Sequence, residues 1–244
     1  MPRFFIPSQN IADDLIRITG DDAFHIARSL RMAEGDDITV CDMHGYEHHC
    51  KLTRIRDEEC ECVILDSKKG ETDPPFPITL YMAYPKGDKL ELVVQKAVEL
   101  GASKIVPFES SRCIKKPKAE KQDKQTARLN RIAEEAAKQC GRSRLPEVSN
   151  PISYSEMLKE ASKASLPIFC YEGDGGRSLK DILDGCDSPE SISVVVGCEG
   201  GFSLEEADRA MAAGLVNATL GKRILRCETA PSYALACISY RYEL

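Results

Sequence analysis

Residues 67–77, SKKGETDPPFP, divide the chain. Pro74, Pro75 and Pro77 fall within four positions, and so dense a run of residues without a backbone N–H continues neither a helix nor a central strand. We place a domain boundary here, giving segments 1–72 and 73–244. Before it, short apolar runs at 4–6, 15–18, 38–41, 46–55 and 60–65 alternate with turn signals, and one helix-like stretch covers 23–32. Short strands at this spacing predict a small β-barrel or sandwich of roughly 70 residues.

After the break the period changes. Runs at 78–84, 104–108, 167–171, 192–196 and 216–220 have strand length, and helical patterns lie at 90–100, 127–140, 203–213 and 230–242. Leu90, Val93, Val94, Ala97 and Val98 mark one face of the first of these helices, with Gly101 at its C′ position. Ser203 and Glu206 form a capping-box signature, followed by Gly214. Strands alternating with helices predict a mostly parallel sheet covered on both faces. In such sheets ligands sit beyond the carboxyl ends of the strands.

Composition narrows the chemistry. The 11 cysteines contain no Cys-x-x-Cys pair, which predicts reduced, mostly buried thiols and no zinc site. All four histidines, His25, His44, His48 and His49, precede residue 50. A Ser-His-Asp triad or an H-E-x-x-H site is therefore excluded from the larger segment. The adjacent His48 and His49 read as surface residues or as metal or RNA contacts. No apolar run approaches the roughly 18 residues of a membrane span, and the opening MPRFFIPSQN has no signal-peptide pattern, so a cytoplasmic protein is expected. The net charge is −6, yet 112–144 carries eleven Lys or Arg against four Asp or Glu, leaving the remainder at −13. That segment is either a phosphate-binding footprint or a solvated helix face.

Three loops at predicted strand ends could carry chemistry. In GCEGGFS (197–203), Gly197, Gly200 and Gly201 permit close backbone approach, and the loop feeds a capped helix. Its glycine spacing is neither a dinucleotide fingerprint nor a P-loop. Glu199 is either a helix-capping carboxylate or a ligand contact. In LGKRILRCETA (220–230), Lys222, Arg223, Arg226 and Glu228 crowd a strand–helix connection, with Thr229 as a candidate N-cap and Pro231 in the first turn. This is a salt-bridged surface loop or a functional one. The third is YEGDGG (171–176). Topology alone suggests that the three line one pocket.

GCEGGFS paired with LGKRILRCETA resembles the 16S ribosomal RNA (uracil-N3)-methyltransferase family, of the SPOUT class. The likeness continues through DKLELVVQKAVELGASKIVPFESSRC (88–113), RIAEEAAKQCGRSRLPEV (131–148) and HIARSLRMAEGDDITV (25–40), nearly the whole chain. Cys198 stands where the family usually has proline. The resemblance implies an α/β fold with a SPOUT-like knotted parallel sheet, preceded by a small PUA-like β-barrel that binds RNA. It implies a homodimer, no metal, and S-adenosyl-L-methionine as cofactor. Tyr171, Gly197, Glu199, Gly200, Gly201, Leu220, Gly221, Ile224, Leu225, Arg226 and Thr229 would hold the cofactor. The implied substrate is one uridine of small-subunit ribosomal RNA. Methylating uridine N3 needs its proton removed and the anion stabilised. Without a histidine nearby, Arg226 is the candidate stabiliser and Glu228 the candidate orienting group or base, with Glu199 as the other acid. Arg3, Arg28, Arg31, Arg112, Lys115, Lys116, Arg142 and Arg144 are candidate RNA contacts. Two other readings fit the residues: a methyltransferase acting on transfer RNA or a ribose 2′-oxygen, and a non-enzymatic RNA-binding adaptor.

Overall fold

A computed structural model describes residues 1–114 and 119–244. The chain forms two compact units, one of Met1–Asp73 with Ala137–Leu145, the other of Pro74–Ala136 with Pro146–Leu244.

In the first unit, β1 (Arg3–Phe5), β2 (Ile11–Ala12), β3 (Leu15–Thr19), β4 (Asp37–Cys41), β5 (Tyr46–Ile55) and β6 (Glu59–Lys69) form one sheet in the order β1-β4-β5-β6-β3-β2. The β1–β4 pair is parallel and the rest are antiparallel. Strict alternation along β3 buries Ile16 and Ile18 and leaves Leu15, Arg17 and Thr19 outside, as expected for a sheet with one face on a core. Phe4, Ile38, Val40, Leu52 and the thiols of Cys50, Cys60 and Cys62 complete that core. The helix expected at 23–32 is shorter and irregular. A turn of α1 (Asp21–Phe24) passes into a π-helical turn, His25–Ser29, and Arg31 at φ 52° ends any continuation. Asp73 explains why 137–145 belongs to this unit. Its carboxylate accepts from Arg142 Nε, from Ser143 Oγ, and from the backbone N–H groups of Ser143 (3.2 Å) and Arg144 (3.1 Å).

The second unit contains β7 (Ile78–Ala83), α2 (Lys89–Glu99), β8 (Lys104–Glu109), α3 (Ala119–Cys140), whose last four residues belong to the first unit, β9 (Glu147–Val148), β10 (Ile152–Ser153) and α4 (Tyr154–Ala161). It continues with β11 (Leu166–Cys170), β12 (Arg177–Ser178), α5 (Leu179–Asp184), β13 (Ile192–Val196), α6 (Leu204–Ala212), β14 (Val216–Thr219) and α7 (Thr229–Tyr242). The strand order is β10-β8-β7-β13-β11-β14-β12, with β9 also on β8, and every pairing is parallel. Central β13 is buried at all five positions, the signature of a strand covered on both faces.

Several boundaries differ from expectation. Helix α3 begins at Ala119 rather than 127, because AEKQDKQT has no apolar stripe to reveal it. The short helices α4 and α5 escape periodicity but carry caps: Ser153 accepts from Glu156 N–H, and Ser178 from Asp181 N–H. The N-cap of α7 is Glu228, not Thr229, and its side chain makes no capping bond. Thr229 is the first helical residue, its N–H on the Arg226 carbonyl at 2.8 Å. Among the described residues no helix is long and apolar enough to cross a membrane.

Candidate active site

Because β13, β11 and β14 are parallel neighbours, the loops after their carboxyl ends emerge side by side. They surround one cavity of about 500 Å³, in the size range of small-molecule sites. Tyr171, Gly197, Glu199, Gly201, Leu220, Gly221, Ile224, Leu225, Arg226 and Glu228 all line it. Gly200 and Thr229 do not. Gly200 instead accepts Arg112 Nη1 on its carbonyl at 2.8 Å.

The glycine loop is shaped by close approach. Gly201 has φ +60°, and a Cβ there would sit 2.3 Å from Glu172 Oε1. A Cβ on Gly197 would lie 3.1 Å from both the Gly201 Cα and the Phe202 ring. Phe202 is buried against Phe169, with ring centroids 4.5 Å apart, and stacks on Phe108 at 6.3 Å. The loop then enters α6 through a complete capping box. Glu206 N–H donates to Ser203 Oγ at 3.1 Å, and Ser203 N–H to Glu206 Oε2 at 3.0 Å. Glu206 Oε1 also accepts Ser111 N–H at 2.6 Å, which fastens the loop after β8 to the same helix start.

At the cavity wall stands a cation the sequence reading missed. Lys89 Nζ lies 3.0 Å from Glu199 Oε1 and 3.2 Å from Glu228 Oε2. Glu199 also accepts Lys86 N–H on both oxygens, at 3.1 and 3.3 Å. It therefore serves the approach to α2 rather than capping α6. Burial opposes ionisation of Glu199, but hydrogen bonds from its own backbone N–H, Lys89 and Lys86 hold its carboxyl below the usual range. Glu228 is lowered by its own backbone N–H, by the Cys227 thiol and by Lys89. The two carboxylates in turn raise Lys89. The cluster is thus fully charged at neutral pH.

Its pH response follows in sign. Carboxyls whose folded pKa is depressed contribute stability above their unfolded pKa, and that contribution is lost as pH falls through the folded value. Lys89→Met is therefore expected to raise both glutamate pKa values and move this loss to higher pH. Carboxyl-resolved NMR titration checks it, and unchanged glutamate titrations would show that Lys89 does not set their charge.

The guanidinium of Arg226, like Arg223 and the Lys222 ammonium, pairs with no described side chain, although all three line the cavity. The site thus offers a charged carboxylate–lysine cluster, apolar contacts from Leu220 and Leu225, and uncommitted cations.

The family model described as an RNA methyltransferase domain matches residues 72–239, and an RNA methyltransferase PUA domain matches 18–65. The chain belongs to this RNA methyltransferase family. The methyltransferase is 34% identical to ribosomal RNA small subunit methyltransferase E of Bacillus subtilis, over 100% of this chain and 98% of that protein. It is 31% identical to the Synechocystis protein of the same name, over 99% and 78%. It also superposes with a TM-score of 0.87 on a crystal structure of ribosomal RNA small subunit methyltransferase E from Neisseria gonorrhoeae bound to S-adenosyl methionine. That match is at 32% identity and covers 99% of this chain and 98% of that one. The fold is accordingly an α/β methyltransferase domain with a PUA-like N-terminal domain.

The basic candidates of this methyltransferase fall into distinct settings. Arg142 is only 3% exposed and is paired with Asp73. Arg3 donates to Glu47 at 2.9 Å and to the Arg142 carbonyl at 3.2 Å. Both guanidinium groups hold the first unit together, so they are not placed to read phosphate. Arg28 is exposed and paired with Asp57. Arg31 is exposed at its positive-φ turn. Arg144 is exposed, with Nη2 on the His44 carbonyl at 3.4 Å. Arg112 is exposed in the second unit. Lys115 and Lys116 lie outside the described residues.

Proposed function

We propose that this protein transfers a methyl group from S-adenosyl-L-methionine to N3 of one uridine in small-subunit ribosomal RNA. Segment 1–72 would hold the RNA and 73–244 would perform the transfer, in a homodimer. The observation that carries the reading is the cavity at the β11, β13 and β14 ends, which uncommitted Arg226 and ionised Glu228 both line. The names of the relatives and the ligand of the Neisseria gonorrhoeae structure support the substrate and cofactor.

The residues present fit the cofactor. Gly197 and Gly201 let the loop pass against Phe202 and Glu172 where a Cβ would strike them, which keeps its backbone on the cavity, and the Glu172 carboxylate on the same lining supplies negative charge toward a cationic ligand. Leu220, Ile224, Leu225 and Tyr171 add apolar and aromatic surface. When bound, S-adenosyl methionine supplies an electrophilic methyl group, so the protein's task is to orient and activate the acceptor. Arg226 favours the uridine anion through its fixed positive charge. Glu228, held ionised beside Lys89, would orient the uracil through its N3–H or take that proton. Arg28, Arg31, Arg112 and Arg144 are the remaining described candidates for RNA phosphate contact.

The test is transfer from labelled S-adenosyl methionine to small ribosomal subunits lacking the modification, followed by nucleoside mass spectrometry. N3-methyluridine at one site is the expected product. Cofactor binding without transfer would move the substrate to another RNA, and absence of both would favour the adaptor.

A further inference from the structure

The geometry points to Cys113 and Cys198 as an oxidisable dithiol, cross-linked by hydroperoxides into a disulfide that reshapes the cavity loop. Three contacts hold the loop after β8 against that loop and the helix it enters: Arg112 Nη1 to the Gly200 carbonyl, Ser111 N–H to Glu206 on α6, and a shared hydroxyl. Ser110 Oγ lies 3.3 Å from Cys113 Sγ and 3.9 Å from Cys198 Sγ. Two sulfurs on one small oxygen, 85 positions apart in sequence, are neighbours for closure through a modest loop shift. Cys198 itself lines the cavity.

The other cavity thiols, Cys170 and Cys227, share no hydrogen-bonding group with a second cysteine among the described residues. Burial pushes Cys170 up to about 12, and burial with the Glu228 contact does the same to Cys227. Cys113 differs. The neighbouring Cys198 and the Ser110 hydroxyl and N–H, the latter at 3.4 Å, stabilise its thiolate and hold it below the ordinary thiol range against burial. The thiolate is the nucleophile in such chemistry.

The step balances with one hydroperoxide. The Cys113 thiolate attacks a peroxide oxygen, the O–O bond breaks, and the departing hydroxide becomes water with the proton Cys113 has lost. Cys113 is then a sulfenic acid. Cys198 sulfur attacks it, the S–O bond breaks as S–S forms, and the second hydroxide leaves as water with the Cys198 proton. Two thiols and hydrogen peroxide give one disulfide and two waters.

Closing an S–S bond of about 2.05 Å draws Cys198 toward Cys113 and displaces the Ser110 hydroxyl that contacts both sulfurs. Cys198 is bridged to Gly201, whose N–H donates to the Cys198 carbonyl at 2.9 Å. The cavity wall must shift with it. This consequence for the cofactor rests on the function proposed above, whereas formation of the bond does not.

The reduced full-length protein is treated with hydrogen peroxide, blocked with N-ethylmaleimide and digested without reductant. A Cys113–Cys198 linked peptide, absent in Cys113→Ser and reversed by dithiothreitol, is expected. Alkylation of both cysteines after peroxide, or linkage of either to another cysteine, overturns the pairing. Equilibrium dialysis with S-adenosyl methionine then reads the loop. The disulfide form is expected to bind roughly tenfold more weakly than the reduced form. Equal affinity in both forms overturns the reshaping. A reduced protein that binds no S-adenosyl methionine counts against the proposed function, and the peptide map still decides the dithiol.

Discussion

Glu228→Gln is expected to lower the saturated rate of methyl transfer by about 10²–10⁴-fold, the usual contribution of a positioned acid–base group. The dissociation constant for S-adenosyl methionine should stay within roughly threefold. The substitution keeps the size of the side chain and an oxygen that can accept from Lys89 Nζ, now 3.2 Å away. It removes the negative charge and the capacity to take the N3 proton. Lys89 retains Glu199 at 3.0 Å, so the cluster does not lose its cation. The helix start is also preserved, because the Glu228 side chain makes no capping bond to α7. Single-turnover kinetics at saturating cofactor, with binding measured separately, make the comparison. A collapse of cofactor binding with a normal rate at saturation would remove Glu228 from the proton path and make it a binding group. The parallel Glu199→Gln variant separates the two acids, because Glu199 is additionally committed to Lys86 N–H.

The contrast between these acids shows what a sequence can and cannot reveal. The two glycine-bearing loops were legible because their chemistry is local: glycines, a capping box and a mixed-charge strand–helix connection all lie within a few positions. The parallel sheet was legible from the change of period after the prolines. Lys89 was not, because its partners lie 110 and 139 positions away. One physical clue was available. A lysine at the first residue of a helix faces the positive end of the helix dipole, so Lys89 at the start of α2 needs nearby carboxylates to be comfortable. Arg3 and Arg142 failed in the opposite way. Both were candidate RNA contacts on their charge alone, and residue type does not reveal that Glu47 and Asp73 pair with them inside the first unit. The serines capping α4 and α5 were readable in principle as S-x-x-E and S-x-x-D, but those helices are too short for periodicity to draw attention to them.

Phe202→Ala is expected to cost about 3–5 kcal/mol of stability, the range for deleting a buried aromatic side chain. That should lower the thermal midpoint of the methyltransferase unit by about 6–20 °C. Phe202 is 2% exposed, and its ring touches Phe169 on β11, Phe108 on β8 and Tyr154 on α4. It thus fills the space between two strands and a helix that the sequence separates widely. The residue also belongs to the loop that lines the cavity, and its ring is what a Cβ on Gly197 would strike at 3.1 Å. Removing it should therefore weaken S-adenosyl methionine binding even at temperatures where the unit stays folded, because the loop loses its anchor on the sheet. Phe202→Leu refills most of the volume and should recover a large part of both properties. Calorimetry and equilibrium dialysis on the same preparations check the pair. If Phe202→Ala lowers the midpoint while affinity in the folded state is unchanged, the loop is held by its capping box and the Glu206–Ser111 contact, and the aromatic cluster serves the core alone.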